Sequence, residues 1–399
     1  MKSILLTSTA LVAFAGAAAA DGHAESGITF TGEATLGYNT NTDVNDAVPA
    51  ALPGEDEVLG TADDVIPTQA SEGFFWDSSV DVTMTAALDN GLVATGTFGF
   101  NVADNSLGDA VSTGDFVLSL AGENASLTFG NTDPVADDRF GDVDGGTTAG
   151  FNDQDAHFDV LGFESILVGE ATVAGFTGAV SFGVDGDAAV AEGLDEIDAL
   201  QLHIAGTVGP VDLELAYQDE IEATGTDAAL ASEAVFGIAA SASFAGADFT
   251  VSYVDDDTES STGISVSYPF GSVTATGYYS VNDIAEDNYG IELNYAANSL
   301  DVTAEVEVDG GEDGAEDVTS YRVEGSYDVG NGLQVFAGFL GTDVDESDET
   351  FYVAGEYDLG GGAEVLVSYA DDGNEAAVGE DLGDPEYKEG LTVQVSFDF

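Results

Sequence analysis

LTVQVSFDF, residues 391–399, ends the chain with apolar and polar side chains in alternation, up to a terminal phenylalanine. The apolar set is Leu391, Val393, Val395, Phe397 and Phe399. Because successive side chains of a strand point to opposite faces, this pattern predicts a strand with one apolar and one polar face. Chain ends usually fray, so a large aromatic at the last position, in register with the apolar stripe, indicates that this strand is fully paired and closes a sheet.

The same alternation recurs along the chain, and aromatic residues bracket the apolar stripes. Tyr289 and Tyr295 stand six residues apart, as do Tyr321 and Tyr327. Six residues span roughly 20 Å of strand. Two aromatic girdles around an apolar band about 25 Å tall are typical of a transmembrane barrel. The alternative is a soluble β-sandwich with these rings in its core.

Turns and loops give the strand count. Nine short turns, centred near residues 90, 123, 174, 209, 246, 271, 298, 331 and 361, alternate with ten longer acidic loops. Their sum predicts an all-β, transmembrane antiparallel β-barrel of about 20 strands, with 16 to 18 as the alternative and the short turns on the periplasmic rim. Residues 164–173 form the weakest strand, because Ile166 and Val168 share parity with Glu164 and Glu170.

The amino terminus has the pattern of a secretory signal. Lys2 precedes an apolar run that ends in three alanines at positions 18 to 20. We therefore predict a signal peptide over residues 1–20 and a single outer-membrane barrel domain over residues 21–399. No other segment is apolar for the 18 or so residues that a helical span needs. The absence of cysteine excludes disulfides and thiol chemistry.

The charge balance is extreme, with 4 lysines and arginines against 77 aspartates and glutamates and a formal net charge of −73. Beyond Lys2, the basic residues are Arg139, Arg322 and Lys388. Nucleic acid is excluded as a partner, because phosphate binding needs Lys or Arg to displace counterions. The 44% of hydrophobic residues are periodic rather than scattered, so the acids must occupy a solvated face.

The chain resembles the general bacterial porins, in particular their alpha-proteobacterial branch. The likeness is carried by GITFTGEATLGY at 27–38, GLVATGTFGF at 91–100, FVLSLAGENASLTFGNTD at 116–133, YDLGGGAEVLVSYADD at 357–372 and the terminal LTVQVSFDF. It implies a homotrimer of water-filled barrels in the bacterial outer membrane, in contact with its lipid, through which ions and small hydrophilic solutes diffuse passively. It also implies a third loop that folds into the barrel and faces an arginine cluster.

Two features depart from that family. Its barrel has sixteen strands, so a count of twenty means either two extra hairpins, with the region 262–310 as the insert, or two misread loops. The arginine cluster has no counterpart, because too few basic residues are present. A lumen of one sign of charge replaces it, and we expect a cation-selective channel.

The third loop, residues 131–163, is the expected constriction, with Arg139 pairing local carboxylates; a solvated surface loop is the alternative. The loop residues concerned are Asp133, Asp137, Asp138, Arg139, Asp142, Asp144, Asp153 and Asp155. The lumen wall is predicted to carry Glu33, Asp81, Asp212, Glu214, Glu292, Asp301, Glu305, Glu307, Arg322 and Glu324.

No catalytic constellation or cofactor is predicted, apart from loosely bound Ca²⁺. Its weak candidate ligands are Glu55, Asp56, Glu57, Asp63 and Asp64. The rival to a channel is a secreted or surface-attached acidic β-protein that binds cations. An energised transporter is disfavoured, because such barrels have about 22 strands and a plugged lumen, and no plug domain precedes the first strand.

Overall fold

The computed structural model describes residues 26–40, 73–104, 111–141, 143, 158, 165–184, 197–220, 234–256, 258, 260–282, 287–310, 317–343, 349–371, 381–382 and 387–399. The predicted signal peptide lies outside these residues, as do the five calcium-ligand candidates. Within the described part of the chain, no helix is long and apolar enough to cross a membrane.

Every numbered element is a strand. The strands are β1 Gly27–Asn39, β2 Gly73–Ala87, β3 Val93–Asp104, β4 Ser112–Ala121, β5 Ala125–Gly130, β6 Ser165–Val173, β7 Phe176–Val184, β8 Ile197–Val208, β9 Val211–Gln218, β10 Val235–Phe244, β11 Ala247–Asp255, β12 Ser260–Phe270, β13 Val273–Asn282, β14 Asn288–Ala297, β15 Leu300–Asp309, β16 Val318–Gly330, β17 Leu333–Thr342, β18 Thr350–Gly360, β19 Ala363–Asp371, β20 Asp381–Leu382, β21 Tyr387–Lys388 and β22 Gly390–Asp398.

Twenty of these strands form one closed antiparallel barrel. Each strand pairs with the next along the chain from β1 to β19, β19 pairs with β22, and β22 pairs with β1. At the closing seam Leu36 lies opposite Val395. The count of twenty strands is confirmed, and the alternative of 16 to 18 is wrong. Closure leaves the barrel without a free edge, which lipid requires because it offers no partner to unpaired backbone groups.

All nine predicted short turns are present, and they share one rim. Asn298 and Asn331 take the left-handed backbone conformation, with φ of 58° and 55°, which asparagine tolerates better than most residues. The chain ends at this rim too, where the backbone N–H of Phe399 donates to the carbonyl of Gly32 at 2.9 Å. Turn chemistry therefore explains why the strand count can be read from sequence.

The barrel carries its apolar stripes outward. On β22 and just beyond it, Leu391, Val393, Phe397 and Phe399 are 42%, 44%, 48% and 66% exposed, whereas Thr392 between them is 1% exposed. The aromatics at the two ends of the stripes, such as Tyr289 and Tyr295, are exposed as well. The alternative of a sandwich with these rings in its core is wrong.

The acidic, glycine-rich stretches of the sequence predict one of the ten longer loops at 101–115 and the last at 370–389, and both have other bounds in the structure. The loop expected at 101–115 is shorter, because β3 continues to Asp104 and β4 begins at Ser112. A register irregularity between Phe98 and Phe100 shifts the pairing there, which hides the strand ends from a simple parity count. The loop expected at 370–389 contains the short ribbon β20–β21, in which Leu382 lies opposite Tyr387.

Candidate functional site

The inward faces of the strands carry the acidic residues. Paired residues on neighbouring strands share a face, so the pairs Glu292 with Glu305 and Glu305 with Arg322 put all three inside the barrel. By the same pairing, all ten of the predicted lumen-wall residues lie on inward faces, on β1, β2, β9, β14, β15 and β16. Their role in transport stays a prediction.

Arg322 stands at the centre of a buried acidic cluster on β14–β16. Its Nη2 lies 2.8 Å from Glu305 Oε2 and 3.9 Å from Glu292 Oε2, and its Nη1 lies 3.4 Å from Glu324 Oε2. Arg322, Glu305 and Glu324 are 7%, 4% and 8% exposed. Charges this buried are stable only when they are paired and hydrogen-bonded.

Two tyrosines on flanking strands complete this cluster. Tyr278 Oη on β13 lies 2.8 Å from Glu305 Oε1 and 3.2 Å from Glu307 Oε2. On the other side, the hydroxyl of Tyr352 on β18 donates to Glu324 Oε1 at 2.8 Å. A continuous polar network thus spans the inner wall from β13 to β18, with three carboxylates around one guanidinium and a fourth, that of Glu307, joined through Tyr278.

The described part of the third loop lies inside the barrel, as predicted. The backbone N–H of Val135 donates to Ser181 Oγ at 3.0 Å, and that of Ala136 donates to Gln201 Oε1 at 2.7 Å. Gln201 Nε2 in turn donates to the carbonyl of Phe158, further along the loop, at 2.7 Å. Ser181 and Gln201 lie on inward faces of β7 and β8 and are fully buried, so a solvated surface loop is excluded for this segment.

Apolar contacts seat the loop on the wall. A Cβ on Gly237 would lie 2.8 Å from the ring of Phe140 and 2.9 Å from that of Phe158, so only glycine fits beneath these two rings. Val143 packs in the same way over Gly263, where a Cβ would lie 2.6 Å from the valine Cβ. Glycines on the inner faces of β10 and β12 therefore leave the space that the side chains of the loop occupy.

The weak strand β6 is explained by the same loop. Ile166 and Val168 point inward and are 5% and 6% exposed, because they form an apolar cluster with Val135. Glu170 shares their face, and its Oε2 lies 2.5 Å from Arg139 Nη1. Ile166, Val168 and Glu170 therefore do share one face of β6, as the sequence indicated. That inner face contacts the loop rather than water.

Other polar contacts also hold the loop. Arg139 Nε lies 3.3 Å from Asp138 Oδ2 within the loop itself. Glu214 Oε2 accepts from the backbone N–H of Gly141 at 3.1 Å, and Glu214 Oε1 lies 2.6 Å from His203 Nε2. Below the loop, toward the short-turn rim, a cavity of about 510 Å³ is lined by Thr177, Thr207, Asp212 and other inward residues.

The remaining predicted loop residues have different outcomes. Asp133 and Asp138 are exposed and Asp137 is half-buried. Asp142, Asp144, Asp153 and Asp155 lie outside the described residues. Across the described ranges, no group of three or more histidines, aspartates or glutamates is placed to hold a metal ion.

The sequence reasoning missed the inward-facing aromatics. Phe75 is 7% exposed, Tyr278 7%, Tyr352 2% and Tyr387 2%. Three of them follow or precede another aromatic, in Phe74-Phe75, Tyr278-Tyr279 and Phe351-Tyr352. Since neighbouring side chains of a strand point to opposite faces, one member of each pair must enter the lumen. That signal was available; the position of Tyr387 had no such signal.

Comparison with known proteins gave one family match. The family profile described as Gram-negative porin matches residues 7–339 and 254–377. Among solved structures, a Rhodopseudomonas blastica porin triple mutant is 15% identical with a TM-score of 0.36, and a five-substitution variant of that porin is 16% identical with a TM-score of 0.39. A structure titled "Asymmetric conductivity of engineered proteins" is 16% identical with a TM-score of 0.41. Each alignment covers 94% of this chain and 100% of the other. No curated protein matches.

Proposed function

Because the chain belongs to the Gram-negative porin family, and so forms an outer-membrane channel for solute diffusion, we propose that this channel selects cations. The observation that carries the proposal is the charge of the inward faces. Arg322 is the one basic residue on the barrel strands that the structure describes, and its guanidinium is taken up by Glu305 and Glu324. The barrel strands therefore present a large excess of carboxylates to the solute; off the strands of the barrel, Arg139 of the third loop lies against Glu170, and Lys388 lies over the ring of Phe75.

Apart from the buried cluster around Arg322, a belt of carboxylates lies near the short-turn rim. These residues stand on inward faces within a few positions of a turn or of the chain end, and most of them are exposed to the lumen. They are Asp212, Asp248, Asp301, Asp328, Asp358, Glu364 and Asp398. Rings of aspartate and glutamate attract cations and repel anions, and low-dielectric walls add to their field.

The third loop is the proposed constriction. Its contacts with β6 to β10 hold it against the wall at the depth of Glu214, which lies in the middle of β9. We propose further that the channel is a homotrimer, as the resemblance implies, and that divalent cations such as Ca²⁺ bind loosely to the acidic wall and partly block it.

The test of selectivity is the reversal potential of the purified protein in a planar bilayer under a salt gradient. We expect a potential of cationic sign that shrinks as salt is raised, because the screening length falls from about 10 Å at 0.1 M to about 3 Å at 1 M. A potential near zero, or of anionic sign at low salt, would overturn the proposal.

The matched variants locate the effect. Asp301→Asn combined with Asp328→Asn should weaken the selectivity, because both carboxylates are exposed inside the rim. Asp219→Asn is the control, since that carboxylate lies at the opposite rim and accepts from the outward-facing Tyr217. Equal changes in both variants would mean that the carboxylate belt near the short-turn rim does not set selectivity.

A further inference from the structure

We infer that Tyr387 anchors a second inward segment, which narrows the channel from the wall away from the third loop. Its ring is 2% exposed and lies against Tyr352, with ring centroids 5.0 Å apart, and against Phe336, with centroids 6.2 Å apart. Leu340 and Leu366 pack against the same cluster. The inference rests on the proposed diffusion pore and adds a residue that holds a size-limiting segment in place.

The depth of Tyr387 places it within the lumen rather than on the rim. Its hydroxyl donates to Glu356 Oε1 at 3.5 Å, and Glu356 lies near the middle of β18. Phe336 is likewise an interior position of β17, opposite Ala354. A side chain that contacts mid-strand residues from inside has entered the barrel, as the third loop does on the far side.

Residues 387–389, called the Tyr387 segment here, make contacts with strands on both sides. Lys388 Nζ lies 5.8 Å from the ring centroid of Phe75 on β2, within the range of a cation–π contact. The carbonyl of Glu389 accepts from Asn39 Nδ2 at 2.8 Å, and the same nitrogen donates to Thr392 Oγ1 at 2.7 Å. The segment is therefore attached to β1 and β2 as well as to β17 and β18.

The wall beneath is shaped to receive it. Tyr352, against which Tyr387 packs at an interplanar angle of 38°, lies across Gly338, where a Cβ would come within 2.2 Å of the tyrosine ring. The glycine lets Tyr352 lie flat on the wall, and this leaves room for the second ring above it. Phe75 lies in the same way over Gly37, where a Cβ would be 2.1 Å from the ring.

Together the two inward segments divide the inner circumference. The third loop covers parts of β6 to β13, and the Tyr387 segment covers parts of β17, β18, β1 and β2. Between them lies the β14–β16 wall with Arg322 and its carboxylates. The Tyr387 segment therefore narrows the lumen from a part of the wall that the described part of the third loop leaves uncovered. Burial and the nearby Glu356 raise the pKa of Tyr387, which keeps the hydroxyl neutral.

Single-channel conductance in planar bilayers tests the inference. Tyr387→Ala should raise conductance about 1.5-fold and let larger neutral sugars enter protein-containing liposomes, because pore radius controls both. Tyr387→Phe should behave as the unsubstituted protein, since the ring remains. Tyr369→Ala is the matched control: Tyr369 lies on the outer surface of β19 and is 40% exposed. If Tyr387→Ala leaves conductance and sugar size limit unchanged, the inference is wrong.

A second measurement covers the case in which Tyr387→Ala does not fold. The chain has no cysteine, so Lys388→Cys, at the exposed position next to Tyr387, introduces a single thiol that a bulky negatively charged thiol reagent can modify in the open channel. We expect modification to lower conductance for Lys388→Cys and to have no effect for Tyr369→Cys. Unmodified current in both would overturn the inference. A cationic reversal potential in the same recordings would show that the proposed function survives that outcome.

Discussion

The two halves of the inner wall are built on different chemistry. Beneath the third loop, most of the fully buried wall residues are small, apolar or uncharged polar, among them Ser181, Gln201, Ala239 and Val254, which are at most 4% exposed. The carboxylates there, Glu170 and Glu214, contact the loop itself. On β14–β16 it consists of Glu305, Glu307, Glu324 and Arg322, which are also buried but are held by ion pairs and tyrosine hydroxyls. The difference indicates that the residue types found at inward positions depend on which segment, if any, lies over that part of the wall.

The largest effect is expected in the charged half. Arg322→Met should lower the free energy of unfolding by about 3 to 5 kcal/mol, because the carboxylates that faced the guanidinium are left buried and unpaired. The measurement is urea unfolding in detergent, followed by tryptophan fluorescence or by mobility on gels. Arg139→Met is the control, because that guanidinium is 30% exposed. Similar losses for both would refute the buried cluster.

An intermediate effect is expected in the packed half. Gly237→Leu should destabilise the seated loop by about 1 to 3 kcal/mol, because the new side chain overlaps the rings of Phe140 and Phe158. Conductance should rise as the loop is displaced. Gly277→Leu provides the comparison, since a Cβ there meets nothing closer than 3.9 Å. Unchanged conductance for Gly237→Leu would mean that the loop does not narrow the channel.

The smallest effect concerns a single hydrogen bond of the same half. Ser181→Ala removes the acceptor of the Val135 N–H and should cost about 1 kcal/mol. Hydrogen exchange at Val135 is the direct readout, and it should accelerate while exchange in the β14–β16 strands stays the same. Faster exchange in both halves would show that they are one cooperative unit rather than two separately held surfaces.

Much of the barrel was predictable because its signals are local. Turns such as Asn298-Ser299 and Asn331-Gly332 need particular residues, and outward stripes repeat with a period of two, so strand number and outer face follow from neighbouring positions. The placement of acids on inward faces follows from the same parity.

The parts that sequence reasoning missed depend on contacts between distant segments. Ile166 is buried on its inward face because Val135 covers it, and Tyr387 is buried because Phe336 and Tyr352 stand opposite. Neither contact produces a periodic pattern in the sequence from which it could be predicted. The pairing of Arg322 with Glu305 and Glu324 is intermediate: strand parity predicts that they share one face, but parity carries no distances.

The seam between β1 and β22 has a consequence for folding kinetics. Asn39 on β1 donates to Thr392 on β22 across 353 residues of sequence, so the contacts that close the barrel are among the least local in the chain. Loop-closure entropy makes such contacts slow to form. Until the ninth residue from the end is in place, β1 keeps an unpaired edge that can bind another chain. A chain truncated before residue 391 is therefore expected to aggregate rather than to form a smaller barrel.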